Sequence, residues 1–196
     1  MRPMEAGRLH VIAGPMFAGK TEELLRRVHR ARLAGLRVEV VGHRLDERGG
    51  ADQLSSHAGR SLPARMLEHA EELLELIGEG RPHTIAIDEA QFFGPPLVPV
   101  IHRLLDAGIQ VEAAGLCITY DGEPFAPLPA LMALAEEVVK LTAVCTVCGT
   151  EAAFHIRLVD DGATALQPTA AQVGDAESYQ ARCRSHRRDA APRGPG

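Results

Sequence analysis

No apolar run in the 196 residues approaches the length a bilayer-spanning helix requires, and the opening MRPMEAGRLHV lacks the apolar stretch of a secretory leader. These two absences predict a cytoplasmic chain with no membrane partner. Cysteine is scarce: Cys117, Cys145, Cys148 and Cys183 are too few and too unevenly placed for a disulfide framework, which a reducing cytosol disfavours in any case. A basic surplus is missing too. With 21 Lys and Arg against 26 Asp and Glu, a formal charge of −5 and a pI near 6.0, the chain lacks the basic face that gripping a nucleic-acid backbone requires. No nucleic-acid partner is therefore expected, although a small anionic ligand could still be held locally. No internal repeat is visible.

What remains is ordinary globular material, 45% hydrophobic and 24% charged, enough for one full core and a small appendage. Apolar, β-branched runs alternate with helical patterns. LHVIA, LRVEVVG, HTIAID, IQVEAAG and EEVVKLTAV are the strand-like runs, and TEELLRRVHRARLAG, EHAEELLELIGEG and PLVPVIHRLLDAG are the helix-like ones. This alternation predicts an α/β fold, a parallel sheet flanked by helices. Gly35, Gly78 and Gly108 each stand where a left-handed C-terminal cap would fall. The pattern stops near Val144. Beyond it come short pieces bracketed by CTVC and CRSH, too little to bury a core unaided. The expected units are therefore an α/β domain over 8–144 and a stapled lobe over 145–186, with disordered ends at 1–7 and 187–196.

GPMFAGKT, Gly14 to Thr21, satisfies G-x-x-x-x-G-K-[ST] directly after a predicted strand and directly before a predicted helix. In that context Gly14, Pro15, Met16, Phe17, Ala18 and Gly19 form a loop whose backbone N–H groups cradle phosphates. Lys20 would reach the β- and γ-phosphates of ATP, the Thr21 hydroxyl would bind Mg²⁺, and the helix N-terminus adds partial positive charge. HTIAIDEAQFF supplies the complement, a strand ending in Asp88 and Glu89. Successive residues at a strand end point different ways, so Asp88 suits the Mg²⁺ shell and Glu89 suits a base aimed at the nucleophile. The pair does not say whether that nucleophile is water or a hydroxyl.

Cys145-x2-Cys148 and Cys183-x2-His186, with residues 149–182 between them, have the spacing of a Cys3His zinc site. Four protein ligands leave no open position, so the zinc reads as structural. It would close the intervening chain into a loop able to wrap a ligand. Cys117 lies outside both pairs and reads as a small buried hydrophobe.

Taken in order, GPMFAGKT, DEAQFF, KLTAVCTVCG and GDAESYQARCRSH resemble the type II, cellular-type thymidine kinases over about residues 8–186. The resemblance implies a P-loop NTPase (RecA-like) sheet carrying a small zinc-ribbon-like lasso domain. It implies transfer of the ATP γ-phosphate to the 5′-hydroxyl of thymidine with Mg²⁺ and structural Zn²⁺, in a homotetramer inhibited by dTTP. It places Glu89 as general base, and Ala90 and Gln91 beside Asp88 and Glu89 on the nucleotide side. For the nucleoside it implies Met16 near the 5-methyl group, Phe92, Leu116, Tyr120 against the base, and Arg48 from the loop after the second strand. Val173, Gly174, Asp175 and Tyr179 match the lasso, with main-chain groups reading the base and the Tyr beside the sugar.

The chain departs from the family pattern in GLCITY, with Cys117 and Thr119 where carboxylates are common, and in His43 and Arg44 where a Lys is frequent. From the residues alone an alternative stays open: a P-loop ATPase whose zinc lobe grips a protein or a single strand.

Overall fold

The computed structural model describes residues 6–46, 53–55, 61–158 and 178–188. Six strands form one parallel sheet: β1 (Leu9–Gly14), β2 (Val38–His43), β5 (Arg65–Leu67), β6 (Thr84–Ile87), β7 (Gln110–Leu116) and β8 (Glu137–Lys140). Their order across the sheet is β5-β2-β6-β7-β1-β8, so β7 separates the strand before the phosphate loop from the strand that leads into Asp88. Two short strands, β3 (Gln53–Ser55) and β4 (Ser61–Pro63), pair antiparallel beside it.

Period-two alternation sorts the apolar residues onto two faces. Val11, Ala13, Val41, Ile85, Ile87, Val111 and Ala113 face one cluster, while Ile12, Val40, Ala86 and Ala114 face the other. The first face is covered by α2 (Glu75–Gly78) with its preceding 3-10 turn Ala70–Leu74, by α3 (Leu97–Asp106) and by α4 (Leu128–Leu134). Helix α3 buries Leu97, Val100, Ile101 and Leu104, the i, i+3, i+4, i+7 stripe of an amphipathic helix.

The second face is covered by α1 (Lys20–Leu33) through Leu24, Leu25 and Val28. A polar network fixes α1 to the sheet at the far end from the phosphate loop. Arg27 bonds Glu23, Glu112 of β7 and Glu137 of β8 at 2.9, 3.0 and 2.6 Å, and His10 of β1 meets Glu112 at 2.8 Å. Arg26, with help from Arg27, holds the Glu23 carboxyl down at about 2.

Two of the expected helix stops carry left-handed glycines, Gly35 at φ 78° and Gly108 at φ 76°. The third is corrected. Helix α2 ends at Gly78, but the positive φ falls two residues later at Gly80 (114°) and continues into Arg81 (44°). The Arg81 side chain reaches the Ala107 carbonyl at 2.5 Å, tying this turn to the end of α3.

Beyond β8 the sheet gives way to two small antiparallel ladders. Strand β9 (Ala143–Val144) pairs with β10 (Glu151–Ala152), and β11 (Phe154–Arg157) pairs with β12 (Tyr179–Arg182). They bury a minor cluster of Ala143, Cys145, Ala152, Ala181 and Cys183, against which Ala18 of the phosphate loop packs.

Candidate active site

Because β1, β2, β6 and β7 run the same way, their C-terminal ends share one edge of the sheet, where α/β sheets bind ligands. The phosphate loop leaves β1 at that edge. Gly19 takes φ 79°, a left-handed conformation that costs glycine nothing, and Phe17 is also left-handed at 65°. Gly14 must lack a side chain, since a Cβ there would lie 2.8 Å from the Leu141 carbonyl oxygen. Lys20 is buried at the first turn of α1 and donates to the Pro15 carbonyl at 2.8 Å, curling the loop over its own ammonium group. Met16 is buried and Phe17 is the exposed crest of the loop.

One residue on, the Thr21 hydroxyl donates to Asp88 Oδ2 at 2.8 Å, joining the start of α1 to the end of β6 across 67 positions of sequence. Asp88 is 1% exposed. A hydroxyl and a carboxylate oxygen held side by side next to a phosphate loop are the protein's usual contribution to a Mg²⁺ shell, and the pair fits that ion.

Glu89 points elsewhere because its backbone turns left-handed, at φ 48° and ψ 43°. For a non-glycine residue this is a strained conformation of the kind that collects at functional sites. Its carboxylate accepts from Gln91 Nε2 at 2.5 Å, and Gln91 Oε1 in turn accepts from the Leu116 backbone N–H at 3.0 Å. Gln91, 1% exposed, therefore clamps Glu89 to the end of β7. The clamp needs Gly115, where a Cβ would stand 2.6 Å from Gln91 Oε1. Ala90 begins the 3-10 turn and is fully buried in the main core.

Beside these groups Met16, Leu116, Thr119, Tyr120, Phe125, His155 and Tyr179 line a small cavity. Tyr120 and Tyr179 lie with ring centroids 6.4 Å apart, and the Arg157 guanidinium stands 5.8 Å from the Tyr120 ring centre. The free volume is about 10 Å³, room for about one water. Four expected nucleoside residues, Met16, Leu116, Tyr120 and Tyr179, thus converge. Phe92 is not in this lining; its ring lies tilted against His43 at 5.8 Å. Arg48, Val173, Gly174 and Asp175 lie outside the described residues.

The departures from the family pattern have local explanations. Thr119 organises the turn after β7: its hydroxyl bonds the Asp121 carboxylate and accepts from the Glu123 N–H at 3.0 Å. Cys117 is half-buried against the main core, as a small hydrophobe would be. His43 accepts from the Leu45 N–H at Nδ1 (3.1 Å), so Nε2 carries the proton and donates to the Glu68 carbonyl at 3.0 Å. Burial pushes its pKa down. His43 is thus a neutral brace for the loop after β2, with Phe93 edge-on at 4.8 Å, and Arg44 points its Nε at the Met66 carbonyl.

His155 and Phe125 were not anticipated as cavity residues. Neither belongs to a motif. His155 reaches the cavity only because β11 pairs with β12, which places it opposite Ala181 and edge-on to Tyr179 at 5.9 Å.

At the other end of this lobe Cys145, Cys148, Cys183 and His186 bring four ligand atoms within 4.8 Å of one another. The Cys148 and Cys183 sulfurs are 3.8 Å apart, as are Cys145 Sγ and His186 Nδ1. A tetrahedron of zinc–sulfur bonds of about 2.3 Å has edges of roughly 3.8 Å, so the donor set and its spacing fit zinc. Burial pushes the Cys145 thiol up, but N–H groups of Cys183, Val147 and Cys148 outweigh it and hold the thiol at about 5. A thiolate prepared in this way is the form a metal requires.

A P-loop sheet with a Thr–Asp pair, a strained buried Glu at its edge and a Cys3His knuckle beside it defines the class: a P-loop nucleotide-binding fold with a metal-stapled lobe. Within that class the chain belongs to the thymidine kinase family, whose pattern it matches over residues 7–187. It is 44% identical over 193 residues to a thymidine kinase of Deinococcus deserti, covering 94% of this chain and 96% of that one. To a thymidine kinase of Deinococcus radiodurans it is 44% identical over 189 residues, covering 91% and 89%.

Proposed function

We propose that the chain transfers the γ-phosphate of ATP to the 5′-hydroxyl of thymidine, giving dTMP and ADP. The observation that carries this reading, beside family membership, is that a small, mostly apolar cavity lies against the phosphate loop, with Met16 of that loop in its wall. His155 links the two, lining the cavity while lying within the electrostatic reach of both Lys20 and Glu89.

In this reading the backbone of residues 14–19 and the Lys20 ammonium hold the β- and γ-phosphates, with Ala90 and Gln91 supporting the nucleotide side. Thr21 and Asp88 hold Mg²⁺, which when bound neutralises charge on the phosphates. Glu89, aimed by Gln91, accepts the 5′-hydroxyl proton as that oxygen bonds to the γ-phosphorus and the bond to the β–γ bridging oxygen breaks. Met16, Leu116, Tyr120 and Tyr179 enclose the nucleoside, and Arg48 is a further candidate contact to it. Main-chain groups of Val173 to Asp175 read the base. Enclosure excludes water, which protects the γ-phosphate from hydrolysis.

The same reading divides the chain into an α/β domain over 8–144 and a zinc-stapled lasso over 145–186. It also makes the enzyme a cytoplasmic homotetramer inhibited by dTTP, with no nucleic-acid partner. No helix among the described residues is long and apolar enough to cross a membrane. ADP formation measured with and without thymidine is the test. Phosphoryl transfer that requires thymidine and yields dTMP is expected. Steady ADP release without it, or stimulated instead by a single strand or a protein, would replace the kinase with an ATPase.

A further inference from the structure

Arg182, the last residue of β12, is the largest of the fully buried side chains, at 1% exposed. Its Nη1 donates to the Thr146 hydroxyl, while Nε and Nη2 are buried with no hydrogen-bond partner among the described residues. None of the three nitrogens meets a carboxylate. A guanidinium stays charged at any pH a protein tolerates, so only an opposite charge can offset the cost of taking it out of water. The surrounding side chains do not supply one. Among its described residues the lobe built on β9 to β12 holds five arginines, Arg157, Arg182, Arg184, Arg187 and Arg188, against a single acid, the exposed Glu151. The ring that pairs with Arg182 in register, Phe154, already carries Arg184 and Arg187, each 5.0 Å from its centre.

Among the described residues, the remaining source of negative charge in this lobe is the Cys3His cluster. Arg182 directly precedes the ligand Cys183, and the Thr146 that it bonds directly follows the ligand Cys145. The Thr146 N–H in turn donates to the Ala181 carbonyl at 3.1 Å, so the two ligand arms meet at this arginine. Zn²⁺ held by three thiolates and a neutral imidazole carries one net negative charge. One buried cation balances it. We propose that Arg182 is the counter-charge of the zinc centre, a positioning residue that raises the affinity of the lobe for zinc and makes its folded form depend on the metal. While the thiols are protonated the guanidinium is buried without compensation, whereas zinc held by thiolates sets an opposite charge close by in a medium of low dielectric. This rests on the zinc reading of the cluster and is independent of the kinase reading.

The experiment measures zinc affinity of the full chain by competition with a chromophoric chelator, together with melting of the zinc-loaded and the metal-free protein, all without nucleotide or nucleoside. Arg182→Met keeps the length of the side chain and removes its charge. It should weaken zinc binding about ten- to a hundredfold, the range for groups that support metal ligands from outside, and lower the Tm of the loaded protein. The metal-free variant should melt no lower than the metal-free parent, because an uncompensated buried charge is gone. Arg182→Lys keeps the charge and should bind zinc within about threefold of the parent. Cys148→His makes the centre neutral, and in that background Arg182→Met should no longer weaken zinc binding. A packing role predicts another pattern: both forms of Arg182→Met destabilised equally with zinc affinity unmoved, or the full loss retained beside Cys148→His, and either overturns the proposal. Should Arg182→Met not fold, Arg182→Gln takes its place against Arg182→Lys. Loss of zinc or of the fold in the glutamine variant alone assigns the role to charge, and the same loss in the lysine variant assigns it to shape and overturns the proposal. If the parent holds no zinc, the zinc reading falls together with this inference. Zinc held equally by the parent and Arg182→Met removes only the inference.

Discussion

The two halves of the site are held in place by opposite means. The phosphate half is cut from the main sheet: Asp88 and Glu89 directly follow β6, Lys20 and Thr21 begin α1, and a core cluster on each face fixes these elements. The acceptor half hangs on ladders of two and four residue pairs and a small cluster of alanines and cysteines. Where burial is plentiful, position follows from hydrophobic packing and no single side chain is indispensable to it. Where burial is scarce, the Cys3His cluster is the element fit to do the same task once it holds a metal. The contact of Ala18 with the metal-side cluster is the seam between the two. Chemistry and acceptor binding should therefore be separable by mutation, with the seam as the place where separation fails.

The largest expected effect lies in the phosphate half. Glu89→Gln keeps the side chain's shape and can still accept from Gln91, but it cannot take a proton. Turnover of thymidine should fall at least a hundredfold, the usual scale for a lost general base, with binding of ATP and thymidine near the parent's. Single-turnover rates and equilibrium titrations check both parts, and a near-parent rate would remove Glu89 from the role of base.

Next is the metal. Each chain should contain one tightly held zinc by elemental analysis. Cys148→Ser, or chelation, should weaken thymidine binding by more than tenfold while ATP binding survives. Loss of ATP affinity before thymidine affinity would break the comparison, because it would make the Ala18 seam and not the sheet the support of the phosphate loop.

What could be read from the sequence follows the same division. A phosphate loop, a strand-end carboxylate pair and a Cys3His staple are local spacings, and local spacings survive translation into words. The parallel sheet was legible in five of its six strands, β1, β2, β6, β7 and β8, because each carries its own apolar run; the edge strand β5 (Arg65–Leu67) has only three residues and was not legible. Hidden were the features that arise from pairing distant segments. His155 lies in no motif and becomes a cavity wall only through the register of β11 on β12. Gln91 was expected on the nucleotide side, whereas its bonds to Glu89 and Leu116 also make it a clamp. The left-handed turn of Glu89 has no residue signal, since nothing about a glutamate announces a positive φ. Helix α2 does stop at Gly78, but the left-handed residue expected there falls two positions later, at Gly80, because two glycines stand within reach of one helix end.

Acid should weaken the fold through histidines before carboxylates. His155 has its folded pKa depressed to about 3 by burial and then Lys20, and His43 is depressed by burial, so in both cases the unfolded chain binds the extra proton first. Stability is complete above the unfolded value of about 6.5 and declines as pH falls below it. For His155 the loss down to pH 5 is about 2 kcal/mol, a few degrees in Tm for a domain of this size. The parent's Tm should fall between pH 7 and 5, and His155→Phe should flatten part of that slope. Equal slopes in the two proteins would show that the buried neutral imidazole is not the source.

The smallest effect tests whether the phosphate half is as redundant as its burial suggests. Gly115→Ala adds one methyl on β7, in a conformation any residue tolerates, yet places it 2.6 Å from Gln91 Oε1 and 3.0 Å from Leu128 Cδ2. The leucine can rotate away; the carboxamide cannot move without releasing either the Leu116 N–H or Glu89. Glu89 would keep its carboxylate but lose its orientation. kcat should therefore drop about fivefold, near 1 kcal/mol, with KM for both substrates unchanged. Combining Gly115→Ala with Gln91→Ala isolates the route, because neighbours that act through one another are not additive. If the methyl works only by displacing Gln91, it should add nothing once that side chain is gone. A full fivefold loss in the Gln91→Ala background would instead mean that Gly115 acts on the Ala90 backbone 3.3 Å away, and that Glu89 is held by the turn itself.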